Sequence, residues 1–380
     1  MNTLVFAIAA MSLAAWLYLI LGRGFFWLAR ERDDIGKLAT PAIWPSVCAI
    51  VPARNEADVI ERSIGSLLAQ NYPGAFHVVL VDDQSTDETA ARARGCGIEN
   101  RLTVISGSAH PAGWTGKLWA QHQGIEQATA QHAPDYLWLT DADIAHAPDT
   151  LSTLIARAEQ GRVLVSLMAK LQCETFAERM FVPAFVYYFD MLYPFAWVNG
   201  RGATAAAAGG CMLVRRTVLE AAGGIAQIRS QIIDDCALGA LMKTQGPIWL
   251  GLTNRSASLR PYETIDDVGQ MIARSAYAQL GYSPLMLAGT VLGMLLIFVA
   301  PPALVVFARG SPQVLGSAAW LLMATSLIPM LRFYRRSPLW GVVLPMIGAF
   351  YTAFTLQSAI QFWRGKGGMW KGRPQAMGKT

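Results

Sequence analysis

Four stretches of this chain carry no charged residue: 4–21, 284–308, 310–331 and 337–363. A helix needs about 20 apolar residues to cross a hydrocarbon core, because it rises only about 1.5 Å per residue. The last three runs reach that length and the first is marginal. The chain therefore divides into residues that suit lipid and a middle portion that must build its own core in water. The opening "MNTLVF" has no basic start, and no small-residue cleavage site follows the first run, so residues 1–28 read as a retained anchor. Arg23, Arg30, Arg32 and Lys37 come next, and cations beside a span favour the cytoplasmic face.

The other end allows two arrangements. Three crossings over residues 284–363 would leave the basic tail 364–380 outside, although it holds Arg364, Lys366, Lys371, Arg373 and Lys379 and no acid. A re-entrant hairpin turned at Pro301-Pro302 would return the tail inside and strand Arg332, Arg335 and Arg336 instead. Both stay open. The net charge of +5 sits in these flanking clusters, which suits an anionic lipid bilayer as partner rather than nucleic acid. Cys48, Cys96, Cys173, Cys211 and Cys236 form no C-x-x-C pair, so reduced, buried thiols in a cytosolic domain are expected.

Between residues 45 and 283 the pattern alternates as in an α/β domain. Strands are expected at 46–52, 77–83, 102–106, 136–140, 163–168 and 210–216, with helices over 57–70, 86–95 and 117–130. The aromatic-rich segment 175–199, broken by Pro183 and Pro194, has two readings. It is either a core helix pair under the sheet or an interfacial segment lying on the bilayer.

Acidic and polar clusters fall at or just after the carboxyl ends of these strands, where open α/β sheets bind ligands. "VPARNE" (51–56) offers Pro52 and Glu56, the latter suited to a nucleotide ribose or base, unless Asn55 merely caps a helix. "VDDQSTDET" (81–89) offers Asp82 and Asp83, acceptors for a ribose hydroxyl or a uracil N–H; the bland alternative is a cap by Ser85 or Thr86. "YLWLTDADI" (136–144) ends a buried run in Asp141 and Asp143, one residue apart. Two like charges sheltered together call for a cation, and Mg²⁺ or Mn²⁺ takes carboxylate oxygens together with a substrate diphosphate. In "IIDDCALGALMK" (232–243), Asp234 and Asp235 either complement a helix dipole or supply a general base, Asp235. "GWTGKLWA" (113–120) puts Lys117 at a helix start, facing a diphosphate. The small residues of 205–210 suit either a sugar ring against the backbone or tight helix packing. His110, His122, His132 and His146 show no ligand spacing and read as surface or cap residues.

In this order the motifs "VPARNE", "LVDDQSTDET", "LTDADI" and "IDDCALG" resemble the inverting family-2-type glycosyltransferases with a GT-A fold. "GWTGKLWA", "ERMFVPAFVYYFDMLYPFAWVN" and "GGCMLVRR" resemble the hopene-associated glycosyltransferases of hopanoid biosynthesis. The resemblance implies an α/β GT-A domain with a mostly parallel sheet over 45–283, membrane helices at both ends and a UDP-sugar donor. Glu56 and Asp83, with Asp82 nearby, would hold uridine; Asp141 would meet the ribose or diphosphate side, Asp143 the divalent cation, and Asp235 would be the base. Processive members and ceramide-type relatives carry a Q-x-x-R-W or R-x-x-R-W element, to which the nearest match here is "MIARS" (271–275), keeping Arg274 as a phosphate contact and losing the aromatic platform. A single transfer to a membrane lipid, a hopanoid by this resemblance, is expected rather than polymer synthesis. The rival readings are transfer to a polyprenyl phosphate and a non-catalytic scaffold in a lipid-synthesis complex. A nicotinamide oxidoreductase fails for want of G-x-G-x-x-G after the first strand.

Overall fold

The computed structural model describes residues 3–36, 38–97, 100–367, 369, 370, 373 and 374. Lys37 and, in the basic tail, Lys371 and Lys379 lie outside the described residues. The chain forms two compact units: residues 31–172 with 197–261, and residues 1–30 with 173–196 and 262–380.

The first of these is an α/β unit on one eight-stranded sheet. Its strands are β1 (Val47–Ala53), β2 (Phe76–Asp82), β3 (Leu102–Ser106), β4 (Tyr136–Leu139), β5 (Ile144–His146), β6 (Leu164–Lys170), β7 (Met212–Arg215) and β8 (Ile248–Ser258). They lie in the order β3-β2-β1-β4-β7-β6-β8-β5. β1, β2, β3 and β4 pair in parallel, as do β6 and β8, while β7 and β5 run antiparallel to their neighbours. β1 and β4 are buried along their whole length, as strands covered on both faces must be.

A flat sheet would put β5 four strand spacings from β4, about 19 Å away. Yet only residues 140–143 join the two, and Thr140 Oγ1 lies 2.9 Å from His146 Nε2. The sheet therefore curls back on itself, and residues 140–143 bridge the curl. Register brings the neighbouring strand ends to the same edge: Ala53 pairs with Asp82 and Ile50 with Leu139.

Two strands escape the sequence pattern. β5 has three residues, and β8 turns polar halfway because Thr253, Ser256 and Ser258 are buried as hydrogen-bonding partners rather than as apolar ones. His146 is a third departure. It is a core residue on β5, with Nδ1 2.9 Å from Ser256 Oγ and Nε2 2.9 Å from Thr140 Oγ1, not a surface or cap residue. Thr140 Oγ1 donates to Gly210 O, so the imidazole donates through Nε2 and accepts at Nδ1. Burial pushes its pKa down to about 3.

Among the described residues the second unit holds four helices long and apolar enough to cross a membrane: Thr3–Leu21, Pro284–Phe307, Ser311–Phe333 and Pro338–Trp363. Pro301-Pro302 makes no hairpin, because the chain stays helical through Phe307. Pro301 cannot bond the carbonyl of Ile297, and the Trp16 indole N–H takes that carbonyl at 2.8 Å. A π turn over Leu295–Val299 absorbs the remaining mismatch. Small residues allow close helix approach, since a Cβ on Gly316 would stand 2.7 Å from Leu304 Cβ and one on Gly348 2.6 Å from Phe298.

Residues 173–196 and 262–283, expected inside the α/β domain, cluster with these apolar helices. The helix Phe176–Leu192 starts on a capping box of Thr175 and Glu178 and buries Phe181, Tyr187 and Tyr188. Phe181 packs on Tyr351 and Phe354, and Tyr187 OH bonds Ser326 Oγ at 2.7 Å. The aromatic helix Phe176–Leu192 thus packs within the apolar unit, which differs from a helix pair under the sheet.

Candidate active site

Sequence-expected residues gather at the carboxyl edge of the sheet around two cations. The first is Lys117. Thr115 caps the helix Gly116–His132, its Oγ1 accepting from Leu118 N at 3.3 Å, which puts Lys117 in the first turn. A cation there opposes the helix dipole, and burial also works against its charge. Asp141 Oδ1 at 2.9 Å and Asp234 Oδ2 at 3.0 Å outweigh both, so the pKa of Lys117 is raised. Asp234 and Asp235 open the helix Asp234–Lys243, where their charge suits the dipole.

Asp235 Oδ2 accepts from Gly209 N at 3.0 Å and Oδ1 from Cys236 N at 2.7 Å. Burial, with the charge of Asp234 adding to it, pushes its pKa up to about 6 against the opposing pull of Lys117. Asp141 is also raised, by burial first, with Lys117 opposing and Asp143 adding. A Cβ on Gly209 would lie 3.3 Å from Lys117 Nζ and 3.5 Å from Asp235 Oδ2, so the bare backbone lets both groups close in. One position of the small-residue run is explained by packing: a Cβ on Gly239 would meet the Ala206 backbone at 2.7 Å.

The second cation is Arg260, which sequence reasoning missed. It stands just past β8, with Nη2 2.6 Å from Glu56 Oε2 and Nε 3.0 Å from Asp143 Oδ2. An arginine two residues past a strand carries no local signal. Only the curl of the sheet, which brings Leu259 N to 2.7 Å from Asp143 O, places it there.

The loops after β1 and β2 are laced together instead of capping helices. Asn55, at φ 51, accepts from Thr86 N at 2.8 Å, Asn55 N donates to Ser85 Oγ at 3.0 Å, and Glu56 N to Thr89 Oγ1 at 2.8 Å. The helices begin later, at Ile60 and Thr89, without side-chain caps. Pro52 lies in β1 opposite Val81. Asp82 Oδ1 accepts from Ser85 N at 3.3 Å. Asp83 is buried, and Arg54 Nη1 reaches its carbonyl at 2.5 Å and its carboxylate at 3.8 Å. Arg274 follows the helix Ile265–Ala273 in the other unit.

Asp141 and Asp143 thus face different cations. Among the described residues no group of three His, Cys, Asp or Glu side chains forms a metal cage. Two hard carboxylates on one turn fit a Mg²⁺ or Mn²⁺ whose coordination a substrate diphosphate completes, the usual way such ions are held beside phosphates. The arrangement offers a base of raised pKa, a lysine and an arginine to meet anionic oxygens, and carboxylates for a hard cation.

The glycosyl transferase family 2 model matches residues 48–223. The succinoglycan biosynthesis protein ExoU of Rhizobium meliloti is 34% identical over 119 residues, covering 31% of this chain and 32% of that protein. A 4,4'-diaponeurosporenoate glycosyltransferase of Staphylococcus aureus is 35% identical over 112 residues, 29% of this chain and 27% of that protein. The chain therefore matches about a third or less of either relative. A mannosyltransferase from Pyrobaculum calidifontis, solved with GDP-Man and Mn²⁺, superposes with a TM-score of 0.58 at 20% identity, over 93% of this chain and 98% of its own. The fold is that of a GT-A glycosyltransferase.

Proposed function

We propose, for a chain that bears a family 2 glycosyltransferase domain on a GT-A fold, a membrane-bound inverting transfer of one sugar from a UDP-sugar to the hydroxyl of a lipid acceptor. The observation that carries this reading is the convergence of Asp141, Asp234 and Asp235 on Lys117, with Asp235 pushed up to about 6. A carboxylate titrating there is a far better proton acceptor near neutrality than one of ordinary pKa near 4.

In the proposed reaction Asp235 takes the proton from the acceptor hydroxyl. The oxygen attacks the anomeric carbon on the face opposite the nucleotide. The bond from that carbon to the diphosphate breaks, and its electron pair leaves with the UDP. No enzyme nucleophile is involved, so one displacement inverts the centre. Lys117 offers its ammonium to the departing diphosphate, while Glu56, Asp82 and Asp83 bind the nucleoside and Pro52 lines the first strand's end. Asp143, with Asp141, would hold Mg²⁺ or Mn²⁺, which as a Lewis acid offsets charge on the leaving group. Arg274 remains a proposed phosphate contact.

The four apolar helices support a multi-pass membrane protein, and a lipid acceptor explains why a soluble donor's enzyme keeps them: the bilayer concentrates and orients the hydroxyl. The relative named for 4,4'-diaponeurosporenoate supports a lipid-like acceptor. A hopanoid is the proposed acceptor on the motif resemblance, and the cytoplasmic leaflet the proposed side on Arg23, Arg30 and Arg32. The raised pKa of Asp235 favours a hydroxyl acceptor over a polyprenyl phosphate, whose oxygen is already anionic and needs no base.

The test is product analysis of lipids from membranes supplied with UDP- and GDP-sugars and Mn²⁺. Wild-type membranes should yield one glycolipid from a UDP-sugar, and Asp143→Ala membranes should lose it. Undiminished transfer by the variant sinks the metal role, and a wild type without product in any combination favours a scaffold.

A further inference from the structure

Arg260 occupies one of the two carboxylates expected to hold the metal. Its fork joins an acid after β1 to one after β4, with Glu56 2.6 Å and Asp143 3.0 Å away. Glu56 is 6% exposed, and without a cation the two acids would repel across a sheltered cleft. We propose that Arg260 is a resident counter-cation, which holds Asp143 and Glu56 before the donor arrives and must leave Asp143 for a divalent cation to bind. This rests on the reading of Asp143 as a metal ligand.

The physical reason is competition for one oxygen. The guanidinium donates through Nε to Asp143 Oδ2, and a divalent cation placed on that carboxylate would face a positive charge a few ångströms away. Metal affinity without donor is then reduced by the fraction of molecules in which Arg260 holds Asp143. A nucleoside diphosphate reverses the balance, because its anionic oxygens offer the displaced guanidinium a bidentate partner. Metal and nucleotide therefore strengthen each other's binding, and by the same factor. Lys117 has no such role, since Asp234 holds it at 3.0 Å whether or not Asp141 is engaged elsewhere. The consequence is a site that resists metal alone and closes on metal with donor.

The experiment is titration of Mn²⁺, followed by its EPR signal, into the full-length protein in detergent, with and without UDP. Wild type should bind Mn²⁺ weakly until UDP is added. Arg260→Gln should bind donor-free Mn²⁺ about tenfold tighter and lose a matching part of the gain from UDP. Arg260→Lys, whose single ammonium cannot span both acids, should fall between, and Asp143→Asn combined with Arg260→Gln should abolish the tightening. Circular dichroism of each variant establishes that it is folded. Folded Arg260→Gln that binds Mn²⁺ no tighter than wild type overturns the inference and spares the metal site, as does tight, UDP-independent binding by wild type. Tightening that survives Asp143→Asn overturns it too. Absence of Mn²⁺ binding in every protein, even with UDP, overturns the metal reading of Asp143 and this inference together.

Discussion

Asparagine in place of Asp235 is expected to stabilise the folded protein at neutral pH while removing its base. Burial, with Asp234 beside it, moves the Asp235 carboxyl from 3.8 to about 6. Folding therefore favours its neutral form, and that contribution is complete below pH 3.8 and lost as pH rises through about 6. Keeping this group ionised in the folded state at pH 7.5 costs at most about 3 kcal/mol. Asparagine is neutral at every pH and escapes the cost. Against this, its single carbonyl cannot accept from both Gly209 and Cys236. The net gain expected at pH 7.5 is about 1–2 kcal/mol. Tryptophan-fluorescence melts of the full-length protein in detergent at pH 7.5, 6 and 4.5, at one scan rate, follow it. The melting advantage should shrink steadily toward pH 4.5. A variant less stable than wild type at pH 7.5, or one whose advantage does not change with pH, would refute this account of Asp235.

The same group sets the pH profile: transfer by the free enzyme should fall on the acid side with a midpoint near 6, and a flat profile from pH 8 to 5 argues against Asp235 as base. His146→Leu should destabilise by about 1–3 kcal/mol at pH 7.5 by stranding the Ser256 hydroxyl. That deficit should narrow at pH 5, because wild type itself loses stability as unfolded His146 gains a proton below 6.5 while the folded one, near 3, does not; a deficit that widens on acidification counts against the buried neutral imidazole. Trp16→Phe should lower the melting midpoint in detergent by the worth of one helix-packing hydrogen bond, about 0.5–1.5 kcal/mol, and an unchanged midpoint would dissociate Trp16 from the Ile297 carbonyl.

The strands from β1 to β4 were legible because each is an apolar run that ends in polar residues, and Asp141, Asp235 and Lys117 stood out because they follow such a strand or open a helix. Their mutual contact was not, since it depends on the curl that joins β4 to β5 through residues 140–143. Arg260 was hidden for the same reason, as were Ser256 and Thr253, whose burial is bought by partners elsewhere in the chain: Ser256 bonds His146, and Thr253 bonds Asp33 at 2.6 Å. The insertion of residues 173–196 into the apolar unit was invisible because an aromatic helix packed among apolar helices and one packed under a sheet share the same composition.

The most direct test separates donor binding from chemistry at Asp235. Mn²⁺-dependent UDP binding and sugar transfer to lipid are measured on the same Asp235→Asn preparation. Binding within about twofold of wild type with transfer reduced by about 10²–10⁴ is the expected result. Transfer at the wild-type rate would contradict the proposed reaction, whatever the binding shows.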